Sequence, residues 1–342
     1  MTVTAGSTAV PVTLGRAAER TLTFREARQS PCLSCETSPC CRFLPLDQMK
    51  VTTILELDRA AYLLNFPHIA LGVGADGVWS VYYRTACRFL RVEDGLCTVH
   101  ATPDQPLICA HYNPYQCWYK RVLTVDSHDD FLLVDRGRME WIIDRMGFDD
   151  EREVVAVPDW DEMVAAFAGM PLAEEPAPAP ANGWRPVELS AGPLRYADAA
   201  ISDPCTGCGA WCCTTLVFPT GAPTTAAQLD FLRFALGFPG MELGISDNAW
   251  SLVVSTTCRH LDAGRCAVYG RDERPLLCKH YDALRCTYRS QFGTSRPEGF
   301  LRVTFEDFPP VTDTFSFGGD GRAEAIPDVD ALRIAVDGVR PA

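Results

Sequence analysis

Apolar residues follow a helical period in two stretches of the chain, and each stretch ends before a proline. The first covers 54–66 and stops before Pro67, with most of its apolar positions on one face. The second covers 225–238 and stops before Pro239, and Thr224 is its predicted N-cap. The pattern therefore predicts one amphipathic helix in each stretch.

Strand patterns follow both helices. The segments 69–83 and 243–254 are rich in β-branched and aromatic residues, and turn signals at 76–77 and 247–248 divide each into a predicted hairpin. Residues 72–77 also match the G-x-G-x-x-G motif of dinucleotide-binding proteins, which requires a helix to begin there. A strand pattern follows instead, so we interpret this motif as a hairpin turn.

Shorter elements complete a mixed α+β pattern. A strand is predicted over 42–46, and Pro106 and Pro275 each mark the first turn of a short helix. A last helix is predicted after each Pro-Asp-x-Asp sequence, at 158–161 and 327–330, where either aspartate can act as the cap.

The cysteines occur in two copies of one spacing. Each copy has C-x2-C, an adjacent pair, a long gap and then four more cysteines, of which the last three are separated by eleven and seven residues in both copies. The neighbours agree as well, since 104–112 reads DQPLICAHY and 273–281 reads ERPLLCKHY. This repetition predicts an internal duplication. The candidate metal ligands are Cys32, Cys35, Cys40, Cys41, Cys87, Cys97, Cys109 and Cys117 in the first copy, and Cys205, Cys208, Cys212, Cys213, Cys258, Cys266, Cys278 and Cys286 in the second.

The duplication predicts the domain organisation. We expect two homologous small α+β cysteine-cluster domains in tandem, at 11–170 and 186–340, with short helices and β-hairpins around metal-binding loops. Residues 171–185 between them are rich in proline and alanine, which is typical of a semi-rigid linker.

Composition narrows the class of protein. The chain has 342 residues, is 47% hydrophobic and has a net charge of −13, which argues against a nucleic-acid surface. It has neither a secretory signal pattern nor a run of apolar residues long enough to span a membrane. We therefore expect a cytoplasmic protein, in which such a cysteine pattern more often binds metal than forms disulfides.

The cysteine spacing is compatible with more than one kind of metal site. Two thiolates of a C-x2-C turn can reach one metal, in zinc sites and iron–sulfur loops alike. In an extended segment the adjacent pairs at 40–41 and 212–213 would point to opposite faces and serve different metal atoms. Eight thiolates fit two four-cysteine zinc sites, or one four-cysteine iron–sulfur cluster with four cysteines in another role. The adjacent pairs favour the polynuclear iron–sulfur alternative.

Histidines at equivalent positions accompany the cysteines. His111 and His280 each follow an equivalent cysteine by two residues. Each can replace a thiolate, donate a hydrogen bond to a cluster, or simply pack beside the tyrosine that follows it, Tyr112 or Tyr281.

The cysteine order resembles a known family. C-x2-C-x3-4-CC followed by C-x-V-[YH] and P-x-x-C-x-x-Y is similar to the YkgJ-like, or CxxCxxCC, cysteine-cluster family, which is described as zinc- or iron-chelating. The matching stretches are CTVHATPDQPLICAHY from Cys97 and CAVYGRDERPLLCKHY from Cys266. The first copy differs in having Gln105 where the second has Arg274, and four residues rather than three before its adjacent pair.

Two functions follow as expectations. The first is a metal-binding protein with a thiolate-ligated iron–sulfur or zinc site in each domain and a redox, metal-handling or interaction role. The second, implied by the resemblance because flagellin lysine methylases are among the relatives, is a metalloenzyme that modifies a protein or peptide by methyl transfer or redox chemistry. Such an enzyme needs an open metal position. Both functions are compatible with a protein or peptide partner.

Overall fold

The computed structural model describes residues 21–123, 128, 130–172, 209–247, 249–262, 264–281, 285–293 and 297–338. These residues form helices and antiparallel sheets, which confirms the predicted α+β class. No helix among them has the length and apolar character needed to cross a bilayer. The predicted domain boundaries stay a prediction, and most of the predicted linker at 171–185 lies outside the described residues.

The strands are short and lie mostly in two sheets. In chain order they are β1 (Phe43–Lys50), β2 (Ile69–Gly74), β3 (Val78–Arg84), β4 (Phe131–Val134), β5 (Gly147–Phe148), β6 (Val154–Ala156), β7 (Thr215–Pro219), β8 (Met241–Ser246), β9 (Ala249–Ser255), β10 (Leu261–Asp262), β11 (Arg265–Cys266) and β12 (Leu301–Val303).

The helices are one to three turns long. They are α1 (Phe24–Ala27), α2 (Ile54–Leu63), α3 (Leu107–Ala110), α4 (Trp118–Val122), α5 (Arg136–Ile143), α6 (Trp160–Ala168), α7 (Trp211–Thr214), α8 (Ala226–Leu236), α9 (Leu276–His280), α10 (Thr287–Phe292), α11 (Phe308–Thr312) and α12 (Val329–Asp337), with 3-10 turns at Pro31–Ser34, Pro39–Cys41 and Pro114–Gln116.

The two four-stranded sheets have matching strand orders. The first runs β1-β3-β2-β4 and the second β7-β9-β8-β12, and all neighbours in both are antiparallel. The first three strands of each sheet also follow one another in the same way along the chain, with α2 or α8 before the hairpin. This correspondence agrees with the predicted duplication, which stays a prediction.

The glycine-rich motif lies in the hairpin between β2 and β3, as predicted. Gly77 has φ +74° at the turn, a conformation that glycine adopts without strain. Gly72 has a different role, since a Cβ there would lie 2.0 Å from Cζ of Phe131. Gly244 meets Phe300 in the same way, at 2.7 Å. Gly72 in β2 and Gly244 in β8 therefore leave room for the aromatic rings of Phe131 and Phe300.

Helix ends agree with most predictions. The predicted helix at 54–66 is α2, whose N-cap Thr53 forms a capping box with Glu56. The prediction that Thr224 caps the second helix was wrong. The cap is Thr225, which has an extended backbone and accepts a hydrogen bond from the Gln228 amide.

Other boundaries shift by a few residues. The first aspartate of each Pro-Asp-x-Asp sequence caps the following helix, namely Asp159 and Asp328. The strand predicted over 42–46 extends to Lys50, because β1 remains paired with β3 beyond a register shift between Pro45 and Asp47.

The main apolar core continues from one half of the chain into the other. One cluster of buried side chains includes Phe66 and Leu71 of the first half with Phe238 and Leu243 of the second. Hydrogen bonds cross at the same place, since the Tyr83 hydroxyl donates to the Pro239 carbonyl at 2.6 Å. The described halves thus bury their apolar faces against each other.

A buried arginine connects α5 to α6. Arg138 is 0% exposed, and its guanidinium donates to the carbonyls of Leu133 at 2.7 Å, Phe167 at 2.9 Å and Met170 at 2.6 Å. A buried charge is tolerated only when such donors are satisfied. The burial of Arg138 could not be inferred from the apolar pattern, because an arginine in a sequence is expected at the surface.

We expect Arg138→Met to lower the free energy of unfolding by about 3 kcal/mol or more, because each buried carbonyl left unpaired costs about 1–3 kcal/mol. Urea unfolding measures this change. Arg145→Met is the control, since Arg145 lies on Trp141 at the surface and its loss should cost less than about 1 kcal/mol. Equal losses in the two variants would show that the buried network has no special role.

Candidate metal centre

Five thiols of the first half gather beside the core, although their residues span a long stretch of sequence. Burial, with the neighbouring thiols, raises the pKa of Cys87 to about 11 and that of Cys109 to about 12. Cys40 and Cys97 add to the rise in pKa of both Cys87 and Cys109. Cys40, Cys87 and Cys109 in turn raise the pKa of Cys41. We call this set the first inner thiol group: Cys40, Cys41, Cys87, Cys97 and Cys109.

The second half contains an equivalent group. Burial first, and then Cys212, Cys258 and Cys266 nearby, raise the pKa of Cys278, while Arg274 opposes the rise; the resulting pKa is about 12. The hydrogen bond with Cys212, burial, and the neighbouring Cys258 and Cys266 raise the pKa of Cys213. The second inner thiol group is Cys212, Cys213, Cys258, Cys266 and Cys278.

The adjacent pairs are placed differently from the prediction. Cys40 and Cys41 end a 3-10 turn, and Cys212 and Cys213 lie within α7. The expected extended segment, with side chains on opposite faces, was wrong, because successive residues in a helical turn diverge by much less than in a strand. Within each pair the two sulfurs share a hydrogen bond, which lowers the pKa of the first thiol and raises that of the second.

Backbone amides point at several sulfurs. The Sγ of Cys87 accepts a hydrogen bond from the Phe89 amide, and that of Cys258 from the His260 amide, and each bond lowers the pKa of its thiol. The Lys120 amide donates to Sγ of Cys117 at 3.3 Å. Amide donors to sulfur stabilise the thiolate form, as hydrogen bonds do in metal–thiolate sites.

The remaining described thiols are Cys32, Cys35, Cys117 and Cys286, and two of them, Cys117 and Cys286, hydrogen-bond a tyrosine. Partial burial raises the pKa of Cys32, and a hydrogen bond from Ser30 opposes this rise. The neighbouring thiols of Cys40, Cys35 and Cys117 raise it further. In the second half the Tyr281 hydroxyl donates to Sγ of Cys286 at 3.6 Å. Cys205 and Cys208 lie outside the described residues.

Tyrosines are the neighbours that sequence reasoning underrated. Tyr112 hydrogen-bonds Cys117 as Tyr281 does Cys286, and each packs edge-on against a second tyrosine, Tyr119 or Tyr288. The signal in the sequence was that the same residue, a tyrosine, stands at the equivalent position in both copies. His111 and His280 share that signal, yet both are exposed.

Each cysteine helix is capped by a carboxylate from the other half. Oδ2 of Asp58 on α2 accepts from the amides of Leu276 at 2.7 Å and Leu277 at 3.4 Å, at the start of α9. Oδ2 of Asp230 on α8 accepts from the Leu107 amide at 2.5 Å, at the start of α3. The N-caps of both short helices are prolines and offer no side-chain acceptor. Cys109 and Cys278 are therefore held in place across the two halves.

The two centres differ in their polar neighbours. The buried hydroxyl of Tyr62, on α2, donates to the Cys212 carbonyl at 3.3 Å and lies near the second inner thiol group. Phe234 occupies the corresponding position on α8. Arg274, whose guanidinium lowers the pKa of Cys212, corresponds to Gln105 in the first half. At these two positions the second group thus has a phenol and a cation, where the first has a phenyl ring and a neutral amide.

The donor chemistry fits a metal–thiolate group, whereas a finished coordination shell is not formed. All fourteen cysteines in the described ranges are free thiols, the form that binds zinc and iron. In those ranges, however, no three Cys, His, Asp or Glu side chains converge closely enough to hold one metal ion. The thiols are gathered but must still close around a metal.

Comparison of the chain with protein-family models, curated proteins and solved structures finds no match. The resemblance to the YkgJ-like family therefore stays a prediction that rests on the cysteine order.

We expect Asp58→Ala to release the start of α9, because the amides of Leu276 and Leu277 lose their acceptor. Hydrogen exchange of these two amides should become at least about tenfold faster, and the free energy of unfolding should fall by about 1 kcal/mol, as for other lost N-caps.

Asp47→Ala is the matched control, because Asp47 pairs with Arg59 of α2 inside the first half. It should leave exchange at Leu276 unchanged. Equal acceleration in both variants would mean that Asp58 acts by stabilising α2 and not as a cap for the other half.

Proposed function

We propose that the chain is a metal-binding protein that holds a thiolate-ligated iron–sulfur or zinc group in each of its two halves. The main support is the gathering of five free thiols around a hydrogen-bonded cysteine pair, once in each half. Burial and the repulsion between neighbouring thiols raise the pKa of Cys87, Cys109 and Cys278, so these three thiols stay protonated on their own. A bound cation offsets both effects and releases the protons.

The adjacent pair supports iron–sulfur over zinc. Thiolates suit both metals, and four cysteines complete a tetrahedral zinc site. Cys40 and Cys41 are close enough to share a hydrogen bond, as are Cys212 and Cys213. Two sulfurs so placed can bind neighbouring irons of one cluster.

The proposed role is redox chemistry, metal handling or interaction with a protein or peptide. Free thiols throughout the described residues are compatible with the reducing cytoplasm that we propose as the location. A net charge of −13 disfavours nucleic acid as the partner.

A metalloenzyme that modifies a protein or peptide is the second candidate, and the difference between the two centres favours it. Tyr62 and Arg274 lie beside the second inner thiol group, whereas Phe234 and Gln105 stand at the equivalent positions beside the first. An enzyme needs such polar groups at one open metal position, whereas two storage or structural sites have no need to differ. Perturbation of the metal spectrum by added azide at one site would favour the enzyme.

Metal and acid-labile sulfide analysis of anaerobically purified protein tests the proposal. Iron and sulfide in near-equal amounts, with visible absorption from thiolate-to-iron charge transfer, are expected for clusters. Tightly bound zinc in a colourless protein would support the zinc form. Protein that binds neither metal after reconstitution with zinc, or with iron and sulfide, would contradict the proposal.

Single substitutions assign the metal to each half. Cys41→Ser and Cys213→Ser should each remove most of the metal of one half and leave the other loaded, because a serine oxygen is a poor ligand for these metals. Each variant is the control for the other, and metal content measures both. Complete loss in either single variant would mean that the halves share one group.

A further inference from the structure

Two equivalent junctions connect the halves beside the buried cysteines. After Cys87, the Arg88 amide donates to the Gly237 carbonyl at 2.9 Å, at the end of α8. After Cys258, the Arg259 amide donates to the Asn65 carbonyl at 2.8 Å, just beyond the end of α2. An arginine thus follows the buried cysteine at both junctions and meets the other half.

At the first junction the arginine is neutralised. The Arg88 guanidinium lies 4.1 Å from the centre of the Phe305 ring and forms an ion pair with Glu306 at 2.7 Å. Phe89 packs edge-on against Phe305 at 5.7 Å between ring centres. This junction is therefore aromatic and has a paired charge.

The second junction has basic residues at the same positions. Val134 and Val303 occupy equivalent registers, opposite the third residue of β2 and of β8 respectively. Counting onward from this pair, Arg136 replaces Phe305 and Gly137 replaces Glu306, and His260 stands in place of Phe89.

Two arginines of this second junction meet the same residue, Asn65. The Asn65 carbonyl accepts a hydrogen bond from the Arg259 amide at 2.8 Å. Arg136 donates to Oδ1 of Asn65 at 2.7 Å and forms an exposed ion pair with Glu140 at 3.4 Å. We call Arg136, Arg259 and His260 the basic junction.

A cavity opens beside the basic junction. Its volume is about 480 Å³, within the range of about 300–1,000 Å³ that small-molecule sites occupy. Arg136, Arg259 and His68 line it together with apolar side chains such as Phe66 and Leu133. Among the described residues the lining includes three arginines, with Arg84 as the third, and one carboxylate, Asp135, so positive charge is in excess next to an apolar wall.

We propose that this cavity is a binding site for a small organic anion with one carboxylate or phosphate group and an apolar portion. Two arginine side chains that line one cavity repel each other, and a bound oxyanion removes that cost while accepting their hydrogen bonds. At the equivalent junction Glu306 supplies the negative charge from within the chain. Among the described residues no cysteine lines the cavity, so the proposal goes beyond the proposed metal binding.

Calorimetry and thermal unfolding of the full chain with phenyl phosphate and benzoate test the proposal, with chloride keeping the ionic strength constant. Saturable binding and a rise in Tm are expected for at least one probe, and the stronger probe identifies the preferred oxyanion. Arg136→Phe, which installs the residue of the first junction, should weaken binding at least tenfold. Arg88→Ala is the matched control and should change the affinity less than twofold.

Gly137→Glu gives a second variant that should remain folded. A Cβ at this position would have its closest contact at 3.7 Å, to Oδ1 of Asp135, and an acidic residue in the first turn favours a helix. The new carboxylate should replace the anion, so the Tm without probe rises and probe binding falls at least tenfold. Absence of saturable binding of both probes to the unmodified chain, equal weakening in Arg88→Ala, or full binding in Gly137→Glu would each overturn the proposal.

Discussion

The reciprocal capping of the cysteine helices is the contact on which the arrangement of the two halves depends. The first amides of a helix have no partner within it, and a proline at the N-cap offers no side-chain acceptor. Asp58 and Asp230 meet this need across the halves. Because Cys109 and Cys278 lie on the helices so capped, the position of each depends on the correct docking of the opposite half.

This interlocking explains why the apolar core is continuous. The helices α2 and α8 pack on the core with one face and reach the opposite cysteine helix with the other. A side chain such as Tyr62 belongs to one half by sequence and to the other half's thiol group by contact. Changes at the boundary between halves therefore alter both the packing and the chemistry of the thiols.

The same boundary shows how equivalent positions acquire different chemistry. One junction places an exposed arginine against an aromatic ring and a glutamate, whereas the other has two arginines lining a cavity. The backbone hydrogen bonds that define the junctions are the same in both. The shared backbone hydrogen bonds determine where the halves meet, and the side chains at each junction determine its charge.

The sequence by itself determined the element types, because apolar periodicity and proline positions depend on local geometry. It determined α2, α8 and the β2–β3 hairpin, and it identified the cysteines as candidate ligands through their repeated spacing. It misplaced one cap by a residue and assumed an extended backbone for Cys40 and Cys41, since spacing alone does not distinguish a strand from a helical turn. Only the tertiary structure decided which thiols gather, which carboxylate caps which helix, and that Arg136 and Arg259 line one cavity. These contacts join residues far apart in the chain, and no local pattern encodes which half supplies the partner.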